Sequence, residues 1–188
     1  MRIVGGRHRG RALAAPPGLA VRPTADRTRE GLFNILEHGR FAADRATLLP
    51  GAIVLDVFAG TAAFALEALS RGAAHAYAID KDPAAIVAAR DNATRLGELA
   101  RMTLRQADAT HPGPALAAAD IAFLDAPYRS DLTAPALAAL QKQGWFAPAA
   151  LVAVELEGEE SFEPPPIFAP LDERRYGRAR LVFLRHQP

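Results

Sequence analysis

The chain has 188 residues, of which 50% are hydrophobic and 23% charged, so it can bury the core of one domain with room for a small extension. It contains no cysteine, which excludes disulfides, thiolate metal sites and a cysteine nucleophile. Its five histidines lack metal-ligand spacing, and no apolar run is long enough to cross a bilayer or form a secretory signal. We therefore expect no bound metal, no membrane contact and a cytoplasmic protein.

The net charge of +1 conceals an excess of basic residues near the amino terminus. Residues 1–29 carry seven arginines and a single acid, and 20 of the 22 basic residues of the chain are arginine. Arginine presents a planar fork of donors that matches phosphate oxygens and stacks on bases, so this concentration favours a nucleic-acid contact over a merely solvated surface. The candidate contacts are Arg7, Arg9, Arg11, Arg22, Arg27 and Arg29.

The predicted elements separate an extension, residues 1–48, from a core, residues 49–188. Residues 2–13 are basic and punctuated by glycine, which predicts a β-hairpin or extended arm, and Thr24 is placed to cap a helix over 25–38. The predicted strands then fall at 53–58, 76–80, 103–107, 121–125, 151–155 and 181–184, and the helices at 62–71, 83–96 and 132–143. This alternation predicts an α/β fold with a mostly parallel, doubly wound sheet, helices on both faces and ligands at the carboxyl ends of the strands.

The turn after the first predicted core strand contains one glycine. Gly60 permits a tight strand-to-helix turn and a close approach of the backbone to a ligand. A dinucleotide-binding fingerprint would need three glycines at fixed offsets, so a diphosphate cradle is not expected. Asp56, at the end of the strand, suits a cationic ligand; the alternative is that it caps the turn.

Acidic residues also follow the next two strands. Asp80 lies twenty positions beyond Gly60, where a carboxylate can accept both hydroxyls of a ribose, although Asp80 or Asp82 could instead cap the following helix. Asp108 follows the third strand, where it could accept a hydrogen bond from an adenine amino group. Together these acids outline a nucleoside whose other end is not a phosphate.

The fourth core strand ends in Asp125-Ala126-Pro127-Tyr128, which resembles the (Asn/Asp)-Pro-Pro-(Phe/Tyr) motif of class I methyltransferases that act on amino groups of bases. An exocyclic amine is a poor nucleophile because its lone pair is delocalised into the ring. A carboxylate that accepts its N–H localises that pair, and an aromatic ring stacks on the base. Asp125 is therefore the candidate acceptor, Tyr128 the stacking platform and Pro127 the residue that stiffens the loop. An ordinary strand end with a turn proline is the alternative.

Nearly end to end, the chain resembles the RsmD-type 16S ribosomal RNA guanine-N2 methyltransferases. Besides the motifs above, the likeness rests on residues 2–6, 9–11, 22–34, 56–72 and 175–177, of which 22–34 are the most discriminating. The resemblance implies a Rossmann-like class I methyltransferase fold, S-adenosylmethionine as donor, and a guanine of 16S ribosomal RNA in the small ribosomal subunit or its assembly intermediate. We also expect a monomer. The expected donor-binding residues are Asp56, Phe58, Gly60, Thr61, Asp80, Asp108 and Ala109.

Three positions depart from the family pattern. The family usually has glycine where this chain has Ala62 and Ala65, and proline where it has Ala126. The alanines could weaken donor binding if the backbone there needs a positive φ, and loss of the proline ring leaves the loop softer. We expect a working enzyme; the alternatives are an inactive RNA-binding assembly factor and an amino-methyltransferase that acts on DNA.

Overall fold

The computed structural model describes residues 1–15, 23–38, 41 and 47–187, and for residues 23–26 the backbone alone. Its α-helices are α1 (Pro23–Glu37), α2 (Ala63–Ser70), α3 (Pro83–Leu96) and α4 (Thr133–Lys142). Its strands are β1 (Ile53–Val57), β2 (His75–Asp80), β3 (Met102–Gln106), β4 (Ala119–Leu124), β5 (Phe146–Glu157), β6 (Phe168–Tyr176) and β7 (Ala179–His186). None of the helices in these ranges combines the length and apolar character needed to cross a membrane.

The seven strands form one sheet in the order β3-β2-β1-β4-β5-β7-β6. β1 to β5 run parallel, whereas β7 is antiparallel to both of its neighbours, β5 and β6. The strand order reverses between β1 and β4, which leaves a crevice at their carboxyl ends. This mostly parallel α/β sheet confirms the predicted fold.

Alternate side chains of the central strands enter two apolar clusters, one on each face of the sheet. In β1, Val54 belongs to the first cluster and Leu55 to the second, because successive residues of a strand point to opposite faces. The first cluster also holds buried side chains of α1, α2 and α3, and the second holds those of α4 together with Trp145. Helices therefore cover both faces, as predicted.

The amino-terminal arm, residues 1–15, folds back on itself and packs on the first face of the sheet. An antiparallel bridge joins Arg2 to Ala12. The side chains of Ile3 and Leu13 are buried in the same cluster as those of α1 and α2. The arm is thus hairpin-like, and it shares its apolar core with the parallel sheet.

A buried carboxylate on α2 fastens this arm. Glu67 is 0% exposed and accepts the backbone N–H groups of Val4 and Gly5 at 2.8 and 2.7 Å. Arg71, one turn along α2, donates to the same carboxylate from Nε at 2.7 Å. Gly6 closes the contact with φ +71°, and a Cβ there would lie 2.1 Å from a backbone carbonyl oxygen of α2. Close approach of the arm to α2 therefore requires glycine at this position.

The carboxyl-terminal third of the sheet differs from the prediction. β6 was not predicted at all, and β5 begins at Phe146 instead of residue 151. β6 lies at the edge of the sheet, carries charged residues and has a register shift just after Pro170. Edge strands accept charges and proline because one side of the backbone needs no ladder partner, so such a sequence resembles a loop.

Candidate functional site

The turn after β1 holds three residues with a left-handed backbone. Phe58 has φ +61°, Gly60 +54° and Ala62 +58°. Left-handed conformations are costly for residues with a Cβ, so the turn is held by its surroundings. Ala62 has the positive φ that favours the glycine usual at this position in the family. Ala65, in contrast, lies inside α2.

Asp56, in β1, supports this turn through a hydrogen bond to α2. Its side chain is buried, at 3% exposure, and Oδ2 accepts the backbone N–H of Ala65 at 3.0 Å, in the first turn of α2. Burial raises the pKa of Asp56 to about 8. In this structure the buried carboxyl holds the turn against the start of α2, and its role at the cationic end of a ligand stays a prediction.

Asp80 joins the end of β2 to the same turn. Its Oδ2 accepts the Gly60 N–H at 2.8 Å, and its Oδ1 accepts the Asp82 N–H at 2.9 Å. Asp82 in turn accepts the N–H of Ala84 at 2.8 Å and so caps α3, as considered for it. Asp80 therefore fixes the turn relative to β2 and remains half-buried at the edge of the crevice.

Asp108 is an exposed carboxylate just beyond β3. Its Oδ1 accepts the hydroxyl and the backbone N–H of Thr110 at 2.7 and 2.8 Å. These hydrogen bonds, the hydroxyl's first, lower the pKa of Asp108. The group is therefore ionised near neutral pH and able to accept a further hydrogen bond.

These strand ends surround an open cleft. Its walls are formed by Phe58, Ile79, Asp80, Lys81, Ala107, Asp108, Ala109 and Leu132. Four of the expected donor-binding residues thus come together, and Gly60 is tied to them through Asp80. Thr61 is 3% exposed and does not line the cleft; its hydroxyl lies 3.3 Å from the sulfur of Met1. Apolar walls with carboxylates at two strand ends fit an adenosine moiety.

The loop after β4, residues 125–132, is tied to the cleft at both ends. The N–H of Asp125 points to the Val57 carbonyl oxygen at 3.4 Å, and Leu132 is part of the cleft wall. Asp125 and Pro127 are exposed, whereas Ala126 is 5% exposed. Two further residues of the loop have a left-handed backbone, Arg129 with φ +55° and Asp131 with φ +53°.

Tyr128 contacts a residue that the sequence did not indicate. Its hydroxyl donates to Oε1 of Glu155 at 3.1 Å. Glu155 is 8% exposed and lies in β5, where the residues on both sides of it are apolar and buried. A charged residue inside an apolar strand was the available signal, because buried charges need partners.

The arginines assigned to RNA differ in their surroundings. Arg9, Arg11 and Arg27 are exposed, and Arg7 keeps 51% of its side chain exposed while pairing with Glu98 at 3.0 Å. Arg22 lies outside the described residues.

Arg29 requires a correction. It is 7% exposed, its Nη2 donates to the Arg2 carbonyl at 2.6 Å, and its Nε lies 3.8 Å from Glu67. A guanidinium engaged in this way beneath the arm is not available to a phosphate, so Arg29 supports the arm from within.

The residues that the structure describes contain no group of His, Asp or Glu side chains arranged to hold a metal ion. The sheet order, the strand-end cleft and the loop after β4 define a class I methyltransferase.

Known proteins agree with this class. A family profile described as "Conserved hypothetical protein 95" matches residues 1–185. The ribosomal RNA small subunit methyltransferase D of Escherichia coli K12 is 36% identical over 174 residues, which are 88% of this chain and 79% of that protein. The solved structure of Escherichia coli yhhF covers 100% of this chain and 98% of its own, with a TM-score of 0.82 and 32% identity. An RNA methyltransferase from Salinibacter ruber, solved with S-adenosyl-L-homocysteine, shares the fold with a TM-score of 0.59 at 14% identity. The chain belongs to the family of RsmD-type methyltransferases.

Proposed function

We propose that the chain transfers a methyl group from S-adenosylmethionine to the exocyclic N2 of a guanine in the 16S ribosomal RNA of the small subunit. The observation that carries this proposal is the loop 125–132: it begins with Asp125, whose N–H points to the Val57 carbonyl oxygen at the end of β1, and its last residue, Leu132, is part of the wall of the strand-end cleft. The family match supports the reaction class, and the name of the Escherichia coli relative supports ribosomal RNA as the acceptor.

The cleft is the donor site in this proposal. When bound, S-adenosylmethionine supplies an electrophilic methyl group on a sulfonium. Asp80 would accept the ribose hydroxyls and Asp108 the adenine amino group, while Phe58 and Leu132 offer apolar surface to the adenosine. Ala109 completes the cleft wall. The cleft offers one basic side chain, Lys81, which suits a donor without a phosphate chain better than a dinucleotide.

Asp125 and Tyr128 hold the acceptor base. The Asp125 carboxylate accepts an N–H of the guanine amine, which localises the nitrogen lone pair and directs it toward the methyl group. As the nitrogen–methyl bond forms, the methyl–sulfur bond breaks, S-adenosylhomocysteine is the leaving group, and the nitrogen gives up one proton to solvent. The Tyr128 ring stacks on the base, and Pro127 restricts the backbone between them. A base within a helix cannot reach this position, so the target nucleotide must leave its stack. The exposed Arg9, Arg11 and Arg27, with Arg7 and Arg22, would contact RNA phosphates.

The test is transfer of radiolabelled methyl groups from S-adenosylmethionine to small ribosomal subunits that lack the modification, with naked 16S RNA and DNA alongside. Nuclease digestion then identifies the labelled nucleoside. We expect label in N2-methylguanosine, abolished by Asp125→Ala and retained by Asp131→Asn, a substitution in the same loop. Label in another nucleoside would overturn the N2 assignment, and label in DNA would overturn the RNA substrate. Saturable donor binding without any transfer would indicate the inactive assembly factor.

A further inference from the structure

Glu155 occupies a particular position relative to the loop after β4. Leu124, the last residue of β4, pairs with Val154 of β5, so the chain leaves β4 next to Glu155. Side chains alternate along β5, which places Glu155 on the same face as Ala153, toward α1 and α2. The carboxylate is therefore set into the sheet directly beside the start of the loop.

A carboxylate with 8% exposure is stable only if its oxygens receive hydrogen bonds. The Tyr128 hydroxyl provides one of them at 3.1 Å. A tyrosine anchored only through its Cβ can rotate about χ1 and χ2, whereas a hydrogen bond at the far end of the ring fixes both angles. The contact to Glu155 thus restricts the plane of the ring.

The next residue of the loop has a similar but weaker attachment. Arg129 Nε lies 2.6 Å from Glu157 Oε2, two residues further along β5. The Arg129 and Glu157 side chains are 78% and 28% exposed, and ion pairs that solvent reaches contribute little. Of these two β5 carboxylates, only Glu155 is itself shielded from water.

We propose that Glu155 is a positioning residue for methyl transfer: it fixes the Tyr128 ring in the plane on which the acceptor base stacks. This inference rests on the proposed function, because it assigns Tyr128 to the base. In this proposal Glu155 acts through Tyr128, and it is not part of the cleft wall. Its loss leaves donor binding intact and weakens the productive placement of the RNA.

The kinetic test compares Glu155→Ala, Glu155→Gln, Tyr128→Phe and the double variant Glu155→Ala/Tyr128→Phe. We expect Glu155→Ala and Tyr128→Phe each to lower kcat/KM for the RNA about tenfold, the value of one hydrogen bond, with the Kd for S-adenosylmethionine unchanged. Glu155→Gln keeps an acceptor oxygen and restores most of the activity. The double variant should be no worse than Glu155→Ala alone, because Glu155→Ala already removes the contact that Tyr128→Phe removes. Glu157→Gln is the matched control on the same strand and retains full activity.

A readout without RNA tests the hydrogen bond itself. The chain has three tyrosines, so fluorine NMR of protein labelled with 3-fluorotyrosine gives three signals, and Tyr128→Phe identifies one of them. We expect Glu155→Ala to shift or broaden that signal and Glu155→Gln to leave it near its original place. An unchanged signal in Glu155→Ala, or multiplicative losses of activity in the double variant, would overturn the inference. If the wild type methylates no RNA but the signal still moves in Glu155→Ala, the proposed function has failed while the hydrogen bond is confirmed. If Glu155→Ala does not fold, the activities of Tyr128→Phe and Glu155→Gln test the inference instead.

Discussion

The carboxylate of Glu67 accepts a hydrogen bond from Nε of Arg71 at 2.7 Å, and both side chains lie beneath the amino-terminal arm, 0% and 6% exposed. Arg71 also forms an ion pair with Glu37 of α1, with 2.6 Å between Nη1 and Oε2, so the Glu67–Arg71 pair joins α2 to α1 as well as to the arm. An ion pair shielded in this way is costly to break from one side, because the remaining charge stays buried.

Glu67→Ala is expected to lower the free energy of unfolding by about 3 to 5 kcal/mol, since it leaves two arm amides without their acceptor and Arg71 with Glu37 as its remaining carboxylate partner. Urea denaturation measures the change. Glu159→Ala is the control, because the Arg175–Glu159 pair is 59% and 90% exposed and its loss should cost less than about 1 kcal/mol. Equal losses in the two variants would contradict the role given to Glu67.

Gly6→Ala and Gly10→Ala separate backbone strain from steric contact. Both glycines have positive φ, +71° and +84°, but a Cβ on Gly6 would lie 2.1 Å from a carbonyl oxygen of α2, whereas nothing lies within 4 Å of one on Gly10. Gly10→Ala should cost about 1 to 2 kcal/mol from strain alone. Gly6→Ala should cost clearly more and release the arm, which limited proteolysis detects. If the two variants lose the same stability, the close approach of the arm to α2 is not needed.

Ala62→Gly and Ala65→Gly are the same substitution, but we expect them to change the free energy of unfolding in opposite directions. Ala62 has φ +58°, so glycine removes strain there and should raise the free energy of unfolding by up to about 1 kcal/mol. Ala65 lies within α2, where glycine should lower it by about 1 kcal/mol. Thermal unfolding of both variants tests the pair; a loss of stability in Ala62→Gly would show that the turn carries no strain at this residue.

Asp56→Asn should flatten the pH dependence of stability. Burial raises the pKa of Asp56 from 3.8 to about 8, so between these values the folded protein holds a proton that the unfolded chain has lost. The free energy of unfolding therefore falls as pH rises through this window. Asparagine cannot ionise and still accepts the Ala65 N–H. The free energy of unfolding of Asp56→Asn, relative to that of the wild type, should therefore increase between about pH 5 and about pH 8. Parallel stability curves from urea denaturation would speak against a protonated Asp56.

Charge reversal at two arginines of α1 should have unlike effects. Arg27 is exposed, and Arg27→Glu should raise the KM for RNA several-fold at low salt without changing the Tm. Arg29 is 7% exposed next to Glu67, and Arg29→Glu should lower the Tm strongly, because it places two carboxylates together in the core. Methyl-transfer kinetics and thermal unfolding measure the two effects; a KM for Arg27→Glu equal to that of the wild type would remove this residue from the RNA contact.

The parts of the fold that were predicted correctly carry their signals locally. α3 runs from Pro83 to Leu96, with the predicted bounds, because Asp82 caps its first turn and Gly97 closes its last one in αL geometry. The buried parallel strands follow from continuous apolar runs. β6 was not predicted, because an edge strand with charged residues and a proline has no continuous apolar run.

The site was predictable to the extent that its residues follow strand ends. Phe58, Asp80, Asp108 and Ala109 do so, and they meet at the cleft. The burial of Arg29 and the bond between Tyr128 and Glu155 depend on contacts between segments far apart in the chain. Spacing within one segment carries no information about such contacts.

β7 pairs with β5 on one side and β6 on the other, although it follows both in the chain. A nascent polypeptide can assemble β1 to β5 as soon as these strands emerge. β6 pairs with β7 alone, so it cannot join the sheet until residues 179–186 have left the ribosome. During that interval the outer side of β5, an almost wholly apolar strand, is open to pairing with another chain. The pairing of β7 with β5 is therefore also the step that covers this edge of the sheet.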